Sequence, residues 1–361
     1  MAQSLSGAES LAAHDDDAFN QLALASFSLQ FQHNNAYHRW CDGLGVFPQQ
    51  LKHWSEVPAL PTSAFKELDV TSLTGGARTR VFHSSGTTEQ RPGRHFHHAE
   101  SLALYEASLV AWFRACLFAG ANKRVRILSL TPPASAAPHS SLVHMFETVG
   151  REFGSVPGEF FGATDATGAW SLAEARLAVS LAAAIEAGQP VLMLGTAFNY
   201  VHLADAFERD GKAFHLPPGS RALETGGYKG RSRSLEKAGL HRLIGERLGL
   251  SAGQIVCEYG MSELGSQAYD VGPFDVEGAT PRDRRFQFPP WARVRIVSPE
   301  TGREVDDGQR GLVRVFDLAN LWSVSAVQTE DLAIRRGTGF ELLGRAAATE
   351  ARGCSLMSLN G

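Results

Sequence analysis

The sequence has few cysteines, and they follow no recognised pairing or metal-binding pattern. Its 361 residues include four, Cys41, Cys116, Cys257 and Cys354, which are scattered without a Cys-x-x-Cys spacing. This argues against a disulfide scaffold and against a cysteine-ligated zinc site. Reduced thiols are the default in a cytoplasmic enzyme, so any cysteine chemistry would depend on one thiol acting alone.

The chain also lacks long apolar runs and a strong charge of either sign. No segment approaches the roughly 20 apolar residues of a membrane span, and residues 1–17 are polar and end in three aspartates, unlike a signal peptide. The net charge is −4 and the pI is near 6.4, so no nucleic-acid surface is expected. We therefore expect a cytoplasmic protein with no membrane span and no nucleic-acid partner.

Two common catalytic motifs are absent. No Gly-Lys-Ser/Thr follows a glycine-rich turn, which excludes a Walker-type phosphate loop, and no Gly-x-Ser-x-Gly elbow supports a hydrolase. The composition itself is ordinary: 43% of residues are hydrophobic and 20% are charged, which is typical of a globular protein with a large core.

Apolar residues recur with helical spacing in some segments and form short continuous runs in others. Helices are predicted over residues 17–31, 99–119, 172–187, 200–209 and 235–248. Buried strands are predicted over residues 125–130, 190–195 and 254–259, and a further strand over residues 221–225. Residues 40–61 are predicted to be an irregular connector. Strands that alternate with helices predict the α/β class, with a mostly parallel sheet covered by helices.

The pattern changes from Trp291 onward. Residues 293–297 and 311–316 alternate between apolar and polar with a period of two, which predicts a β-rich subdomain. We therefore divide the chain into four parts: an N-terminal helical segment (1–56), an α/β core (57–290), a β-rich subdomain (291–345) and a tail (346–361) that carries Cys354.

Residues 81–89 combine an apolar start with two serines, a glycine and two threonines. Hydroxyl and backbone N–H groups in such a turn make an anion-binding concavity, and Gly86 allows a ligand to approach closely. A Ser/Thr/Gly surface turn would have the same composition. In the phosphate-binding interpretation, the contacts come from Ser84, Ser85, Gly86, Thr87 and Thr88.

Four further stretches follow in a fixed order. Two come directly after predicted strands, and two lie near the end of the chain: Thr225-Gly226-Gly227-Tyr228-Lys229-Gly230, Glu258-Tyr259-Gly260-Met261-Ser262-Glu263, Thr329-Glu330-Asp331 and Gly344-Arg345. Together with the loop, this order resembles the motif series of the adenylate-forming superfamily, although Glu89 stands where glycine is commoner. Within it, residues 83–93, 129–145, 194–203, 216–233, 258–269 and 315–356 look like the LuxE-type acyl-protein synthetases. Phenylacetate-CoA ligase is more distantly similar.

The resemblance implies the large domain of the adenylate-forming enzymes and a nucleotide site. Gly226 and Gly227 would flank the adenine and Tyr259 would stack on it, while Asp331 would accept hydrogen bonds from the ribose hydroxyls. Glu263 would bind Mg²⁺, a cation that prefers one or two carboxylates plus substrate phosphates. The remaining nucleotide-binding residues implied by the motifs are Gly260, Ser262 and Arg345.

Most adenylate-forming ligases continue past the Gly-Arg hinge into a mobile domain that supplies a lysine. Here 16 residues follow Arg345, so that domain is expected to be largely absent, as in the similarly short LuxE-type proteins. Lys229 and Lys66 are the candidate lysines. Lys229 is favoured because it adjoins the adenine-binding turn.

The implied reaction is the activation of a carboxylic acid, by resemblance a fatty acid, to an acyl adenylate with ATP and Mg²⁺. LuxE-type enzymes pass the acyl group through a cysteine near their C-terminus, and Cys354 matches that place, although an ordinary tail cysteine would look the same. The acceptor would be a partner protein such as a reductase. His139 lies in a loop after a strand and is a candidate substrate residue, or simply a hydrogen-bonded loop histidine.

Two alternatives stay open at this point. The acyl group would go to coenzyme A or a carrier-protein thiol in the first, and the chain would be a non-catalytic nucleotide- or acyl-binding module in the second. Cys116 and Cys257 fall on a helical apolar face and in a buried strand, so both are predicted to be core thiols.

Overall fold

Helices and strands alternate through most of the chain in the computed structural model, which describes residues 16–84, 91–119, 124–165, 170–226, 235–270 and 284–345. Within these ranges there are eight α-helices: α1 (Asp16–His33), α2 (Asn35–Leu44), α3 (Ala64–Glu67), α4 (Ala99–Phe118), α5 (Ser141–Phe153), α6 (Glu174–Glu186), α7 (Ala197–Arg209) and α8 (Lys237–Leu248). Four short 3-10 helices span Pro48–Gln50, Trp54–Glu56, Gly75–Ala77 and Ala252–Gln254.

The same ranges contain fifteen strands, most of them short. They are β1 (Leu60–Pro61), β2 (Arg80–His83), β3 (Arg94–His97), β4 (Arg126–Ser129), β5 (Glu159–Phe160), β6 (Gly162–Thr164), β7 (Trp170–Leu172), β8 (Val191–Thr196), β9 (Arg221–Thr225), β10 (Ile255–Tyr259), β11 (Ala268–Tyr269), β12 (Ala292–Val297), β13 (Arg310–Asp317), β14 (Ala326–Arg336) and β15 (Gly339–Arg345). Strands β2 and β3 form a hairpin, as do β6 and β7.

The larger sheet has six strands in the order β11-β10-β9-β8-β4-β5. All neighbours in it are parallel except β11, which pairs antiparallel with β10 at one edge. Every residue of β8 is buried, as is typical of a strand covered by helices on both faces. The predicted mostly parallel, helix-covered sheet is confirmed.

Helices cover both faces of this sheet. Helices α4 and α5 pack on one face, where Phe113 and Phe146 are fully buried. Helices α6, α7 and α8 pack on the other, through residues such as Leu181 and Ile244. Among the described helices, α4 alone is long and apolar enough to cross a membrane by length and composition. Its fully buried Leu109 and Phe113 instead place it in the protein core.

The second sheet has five strands and contains the β-rich region that the sequence predicted. Its order is β1-β14-β13-β12, with β15 also pairing with β14, and only the short β1–β14 pair is parallel. Helices α1 and α2 complete its core, since Phe27 and Tyr37 share one buried cluster with Val315 and Phe340. The two N-terminal helices therefore cover the C-terminal sheet.

The prediction of an irregular connector over residues 40–61 is wrong in part. Helix α2 extends through Leu44 before two 3-10 helices and β1. The helix starts after Asn34, whose side chain accepts a hydrogen bond from the Tyr37 N–H, and it ends at Gly45 with φ of 66°. Asparagine before a helix and glycine after it are standard boundary signals, so this helix was visible in the sequence.

Candidate active site

The candidate phosphate loop starts where β2 ends, and its two ends are held together. The Ser84 N–H donates to the carbonyl oxygen of Gly93 at 2.9 Å, and the Gly93 N–H donates to Ser84 Oγ at 2.8 Å. These two bonds close the loop at the base of the β2–β3 hairpin. The other predicted phosphate contacts, Ser85, Gly86, Thr87 and Thr88, lie outside the described residues and stay a prediction.

The Glu263 carboxylate lies against this closed loop base. The residue is only 6% exposed, and burial raises the pKa of its carboxyl, while its own backbone N–H, the charges of Arg345 and Lys66 and a hydrogen bond from Ser84 oppose that rise. A Cβ on Gly93 would lie 2.9 Å from both Glu263 Oε1 and Ser84 Oγ. Glycine at this position therefore lets the hydroxyl and the carboxylate meet.

The turn that carries Glu263 is also bonded to its neighbours through Ser262. The Ser262 hydroxyl donates to the carbonyl oxygen of His83 at 3.0 Å, and its Oγ lies 3.1 Å from Ser141 Oγ at the start of α5. At the beginning of the turn, a Cβ on Gly260 would clash with the Glu258 carboxylate. The sequence motif thus forms one packed turn between β10 and the phosphate hairpin.

Asp331 and Arg345 come from the antiparallel sheet. The register of β14 and β15 places the two residues opposite each other, with Arg345 Nε 3.7 Å from Asp331 Oδ1. The Tyr259 hydroxyl donates to Asp331 Oδ2 at 2.8 Å. Burial raises the pKa of Asp331, and the hydrogen bond from Tyr259 and the charge of Arg345 partly offset that rise.

The ring of Tyr259 is packed among aromatic side chains. It is 6% exposed and meets Phe340 edge-on, with ring centroids 5.3 Å apart and an interplanar angle of 82°. The observed role of this side chain is to connect the parallel sheet to Asp331. Its predicted stacking on the adenine stays a prediction.

The glycine pair follows the strand next to Tyr259. Strands β9 and β10 pair in parallel with Thr225 opposite Glu258, so Gly226 and Tyr259 leave the sheet side by side. Among the described residues, no atom lies within 4 Å of a Cβ placed on Gly226, which leaves room for a flat ligand beside it. Gly227 and Lys229 lie outside the described residues.

Lys66 reaches the site from the N-terminal part of the chain. Strand β1 pairs with β14, and the Thr62 N–H donates to the carbonyl oxygen of Gln328 at 3.0 Å. Helix α3 follows directly, with Phe65 fully buried and its Cβ 3.4 Å from a Cβ placed on Gly93. Lys66 is the next residue, and its charge lowers the pKa of Glu263. Of the two candidate lysines, Lys66 is the one that the described structure brings to Glu263.

His139 lies at the edge of the phosphate hairpin. Its ring stacks on His83 with centroids 4.5 Å apart and an interplanar angle of 21°, and its Nδ1 is 3.1 Å from the carbonyl oxygen of Val81. It borders an open cleft of about 650 Å³ that is also lined by Arg78, Arg80 and Phe96. These contacts place His139 near the loop, while a contact with the substrate stays a prediction.

Three buried polar residues near the site were not singled out from the sequence. His95 Nδ1 is 2.6 Å from the carbonyl oxygen of Ser262, and Asn320 Nδ2 donates to the carbonyl oxygen of Glu263 at 2.8 Å. Burial raises the pKa of Glu258 to about 7. Glu258 is the first residue of the sequence stretch that contains Tyr259 and Glu263, but nothing in that stretch indicated a role for it.

The described cysteines are core residues, as predicted for Cys116 and Cys257. Both are buried, as is Cys41. Burial raises the pKa of Cys257 well above its ordinary value and that of Cys41 to about 12, which makes both poor nucleophiles. Cys354 lies outside the described residues.

The donors at the site fit a Mg²⁺–nucleotide complex better than a protein-only metal site. The described residues contain no cluster of three or more histidine, cysteine, aspartate or glutamate side chains suited to a metal ion. Mg²⁺ commonly takes one or two carboxylates and fills its shell with phosphate oxygens and water. The buried carboxylate of Glu263 beside a phosphate-type loop matches that donor set.

Known proteins similar to this chain indicate its family. The family model described as acyl-protein synthetase, LuxE, matches residues 8–360. The chain is 22% identical over 354 residues to the long-chain-fatty-acid–luciferin-component ligase of Vibrio harveyi, covering 93% of this chain and 86% of that protein.

Solved structures with a similar fold include 2-hydroxyisobutyryl-CoA ligase. Its open conformation with 2-HIB-AMP and CoA has a TM-score of 0.68 at 16% identity, covering 91% of this chain and 74% of that one. Its postadenylation state with 2-HIB-AMP also has a TM-score of 0.68 at 16% identity, covering 92% and 68%. At this identity the likeness establishes the fold alone. Since the family model spans nearly the whole sequence, the chain belongs to the LuxE family of acyl-protein synthetases and is an ATP-dependent, AMP-forming acid ligase.

Proposed function

We propose that this ligase activates a fatty acid to an acyl adenylate, transfers the acyl group to the thiol of Cys354, and passes it on to a partner protein such as an acyl reductase. The observation that carries the proposal is the convergence of two carboxylates from two sheets. Glu263 lies against the base of the phosphate loop, and Asp331 is bonded to Tyr259 beside the glycine turn. We also propose a cytoplasmic location and the four-part division of the chain given above.

In the first step, a carboxylate oxygen of the acid attacks the α-phosphorus of ATP. The bond from that phosphorus to the bridging oxygen breaks, and pyrophosphate leaves with the electron pair. Ser84 and the loop after it would hold phosphate oxygens, and Asp331 would accept hydrogen bonds from the ribose. Arg345 and Lys66 would offset the charge that moves onto pyrophosphate, with Lys229 as the alternative lysine. Glu263 would hold Mg²⁺, which neutralises phosphate charge.

In the second step, the Cys354 thiolate, having lost its proton to solvent, attacks the carbonyl carbon of the adenylate. The bond to the AMP oxygen breaks, AMP leaves, and a thioester forms. A thiolate is needed because the neutral thiol is a weak nucleophile, and the neighbouring Arg352 would favour the charged form. Family membership supports this route, as does the name of the Vibrio harveyi relative, which joins a long-chain fatty acid to a luciferin component.

A second candidate acceptor is coenzyme A. The solved open conformation of 2-hydroxyisobutyryl-CoA ligase, with a TM-score of 0.68, contains both 2-HIB-AMP and CoA. In this alternative the incoming thiol attacks the adenylate directly, and Cys354 has no covalent role.

Two measurements test the proposal. ATP–pyrophosphate exchange that depends on a carboxylic acid tests adenylation and separates an enzyme from a nucleotide-binding module. Intact-protein mass after incubation with ATP, Mg²⁺ and a fatty acid tests the thioester. We expect Cys354→Ser to keep exchange but to gain no acyl mass and to pass nothing to an acceptor, whereas Cys41→Ser should behave as wild type in the mass measurement. Acyl transfer by Cys354→Ser at the wild-type rate would show that the acceptor attacks the adenylate directly.

A further inference from the structure

Two buried side chains from distant parts of the chain form hydrogen bonds with the backbone of the turn that carries Glu263. His95, on β3, and Asn320, in the loop between β13 and β14, are each 3% exposed. His95 Nδ1 lies 2.6 Å from the carbonyl oxygen of Ser262, and Asn320 Nδ2 donates to the carbonyl oxygen of Glu263 at 2.8 Å. Consecutive peptide groups of the turn are therefore held from two sides.

The chemistry of these contacts determines the proton position on His95. A carbonyl oxygen only accepts hydrogen bonds, so Nδ1 must carry the proton that is shared with Ser262. Burial lowers the pKa of His95 to about 4, so the ring is neutral near pH 7 and has a single N–H. That N–H, on Nδ1, donates to the carbonyl oxygen of Ser262 in the turn. The second N–H of the Asn320 amide donates to the carbonyl oxygen of Val324 at 2.8 Å, which holds the amide itself in place.

The position of His95 connects the turn to the phosphate loop. In the β2–β3 hairpin, His95 lies opposite Phe82, two residues before Ser84. In the same hairpin, the carbonyl oxygen of His83 accepts a hydrogen bond from the Ser262 hydroxyl. The hairpin that leads into Ser84 therefore contacts the turn at two places, the carbonyl oxygen of His83 and the ring of His95, and His95 holds the peptide next to Glu263. A rotation of that peptide would carry the Glu263 carboxylate away from Ser84.

We propose that His95 and Asn320 form a backbone clamp. By holding the Ser262 and Glu263 peptides, the clamp keeps the Glu263 carboxylate at a fixed position beside the phosphate loop, so that Mg²⁺ and the phosphates of ATP would be bound in one geometry. Both are positioning residues, since they act through the Ser262 and Glu263 peptides. The proposal rests on the proposed function in one respect, the role of Glu263 as the Mg²⁺ ligand.

Two substitutions of His95 distinguish the roles of its two ring nitrogens. Asparagine places its amide N–H near the position of Nδ1, whereas glutamine places it near Nε2. We expect His95→Gln to raise the Mg²⁺ concentration needed for half-maximal pyrophosphate exchange by at least about tenfold, the usual effect of losing an outer partner of a metal ligand. The KM for ATP should change much less, and His95→Asn should restore the Mg²⁺ requirement to within about threefold of wild type. Equal requirements in His95→Gln and wild type would overturn the clamp.

His97→Gln is the matched control. His97 is on the same strand, is also 3% exposed, and its ring lies 4.3 Å from that of His95 between centroids. Its Nδ1 is near the Ser101 hydroxyl. It should lose a comparable amount of thermal stability but keep the wild-type Mg²⁺ requirement. If His97→Gln shifts that requirement as much as His95→Gln does, the effect is general loosening of the hairpin, and the clamp is wrong.

A measurement on the unmodified protein is independent of activity. Nitrogen-15 chemical shifts of the histidine rings should show that His95 is protonated at Nδ1 and unprotonated at Nε2 at pH 7. The opposite tautomer would refute the clamp even in an active enzyme. A wild-type protein with the expected tautomer but without acid-dependent exchange would refute the proposed function and leave the backbone clamp standing.

Discussion

The two carboxylates of the site, Glu263 and Asp331, are held by different means. Glu263 lies on a turn after a strand of the parallel sheet, and its backbone depends on side chains from elsewhere, His95 and Asn320. Asp331 lies within a strand of the antiparallel sheet, where the ladder to β15 sets its position opposite Arg345. A carboxylate on a turn requires separate anchors, whereas one within a strand is positioned by the sheet itself.

This difference follows from the two kinds of sheet. Parallel strands are fully covered by helices, so their functional groups are placed in the loops beyond the strand ends. Loop backbone has no ladder and must find other partners for its N–H and C=O groups. Antiparallel strands can present a polar residue from within the ladder, because one side of each strand can face a cleft.

Removing the charge on the turn should have the largest effect. Glu263→Gln keeps the side-chain size but removes the charge that Mg²⁺ needs. We expect a fall in acid-dependent pyrophosphate exchange of at least about a hundredfold, equivalent to ~2.7 kcal/mol of transition-state stabilisation, with ATP affinity changed by no more than about threefold. The control is Glu300→Gln at an exposed glutamate. Normal turnover of Glu263→Gln in Mg²⁺ would mean that Glu263 is not the ligand.

Removing the carboxylate on the strand should affect binding more than chemistry. Asp331→Ala removes a charged acceptor for the ribose hydroxyls, and hydrogen bonds to charged groups contribute about 1.5–3 kcal/mol. We expect ATP affinity, measured by calorimetry, to fall about ten- to a hundredfold in a folded protein. Glu330→Ala is the matched control, since Glu330 adjoins it on β14 and is exposed. Unchanged ATP affinity in folded Asp331→Ala would refute this placement of the nucleotide.

Removing only the hydrogen bond from Tyr259 to Asp331 should have the smallest effect. Tyr259→Phe keeps the ring but loses the hydrogen bond that lowers the pKa of Asp331. Burial already raises that pKa, so it should rise further in the variant. Because the ionised carboxylate is the acceptor, ATP affinity is present above this pKa and is lost as the pH falls through it. We therefore expect the acidic limb of the ATP-binding profile to move to higher pH, with a loss of about three- to tenfold at neutral pH.

A pH profile for Tyr259→Phe that overlays the wild type would show that the hydrogen bond does not control Asp331. If ATP affinity instead falls as far as in Asp331→Ala, the strand does not position the carboxylate on its own, and the contrast between the two carboxylates is lost.

Local patterns in the sequence predicted the parallel sheet well. Strand β8 was predicted at residues 190–195 and is observed at Val191–Thr196, because a short, continuous apolar run is characteristic of a covered strand. Strand β9 was predicted at residues 221–225 and is observed there. The stretches that begin at Thr225 and Glu258 were also expected to follow strands, and these two residues lie at the ends of β9 and β10. These features depend on residues close together in the chain, which is what a single sequence displays. That β9 and β10 are neighbours is seen only in the structure.

Contacts between distant segments could not be predicted in the same way. Two residues, Leu60 and Pro61, are too short to show a strand pattern, yet as β1 they pair with β14. That pairing brings α3 and Lys66 to Glu263, and the sequence instead favoured Lys229 because it adjoins a motif. His95 is one of several histidines near the hairpin, and only the folded chain shows which of them meets the turn.

The sequence by itself indicated the residue types of the candidate site and the two strands, β9 and β10, that lead into its motif turns, because hydrophobic periodicity and turn composition act over a few residues. The tertiary structure decided which groups meet: that Ser84, Gly93 and Glu263 share one contact point, that Tyr259 donates to Asp331, and that His95 and Asn320 hold the turn. The reason is that the burial of apolar surface brings segments together without specifying which polar groups pair. Each polar group that becomes buried then forms hydrogen bonds with whichever group the packing has placed next to it.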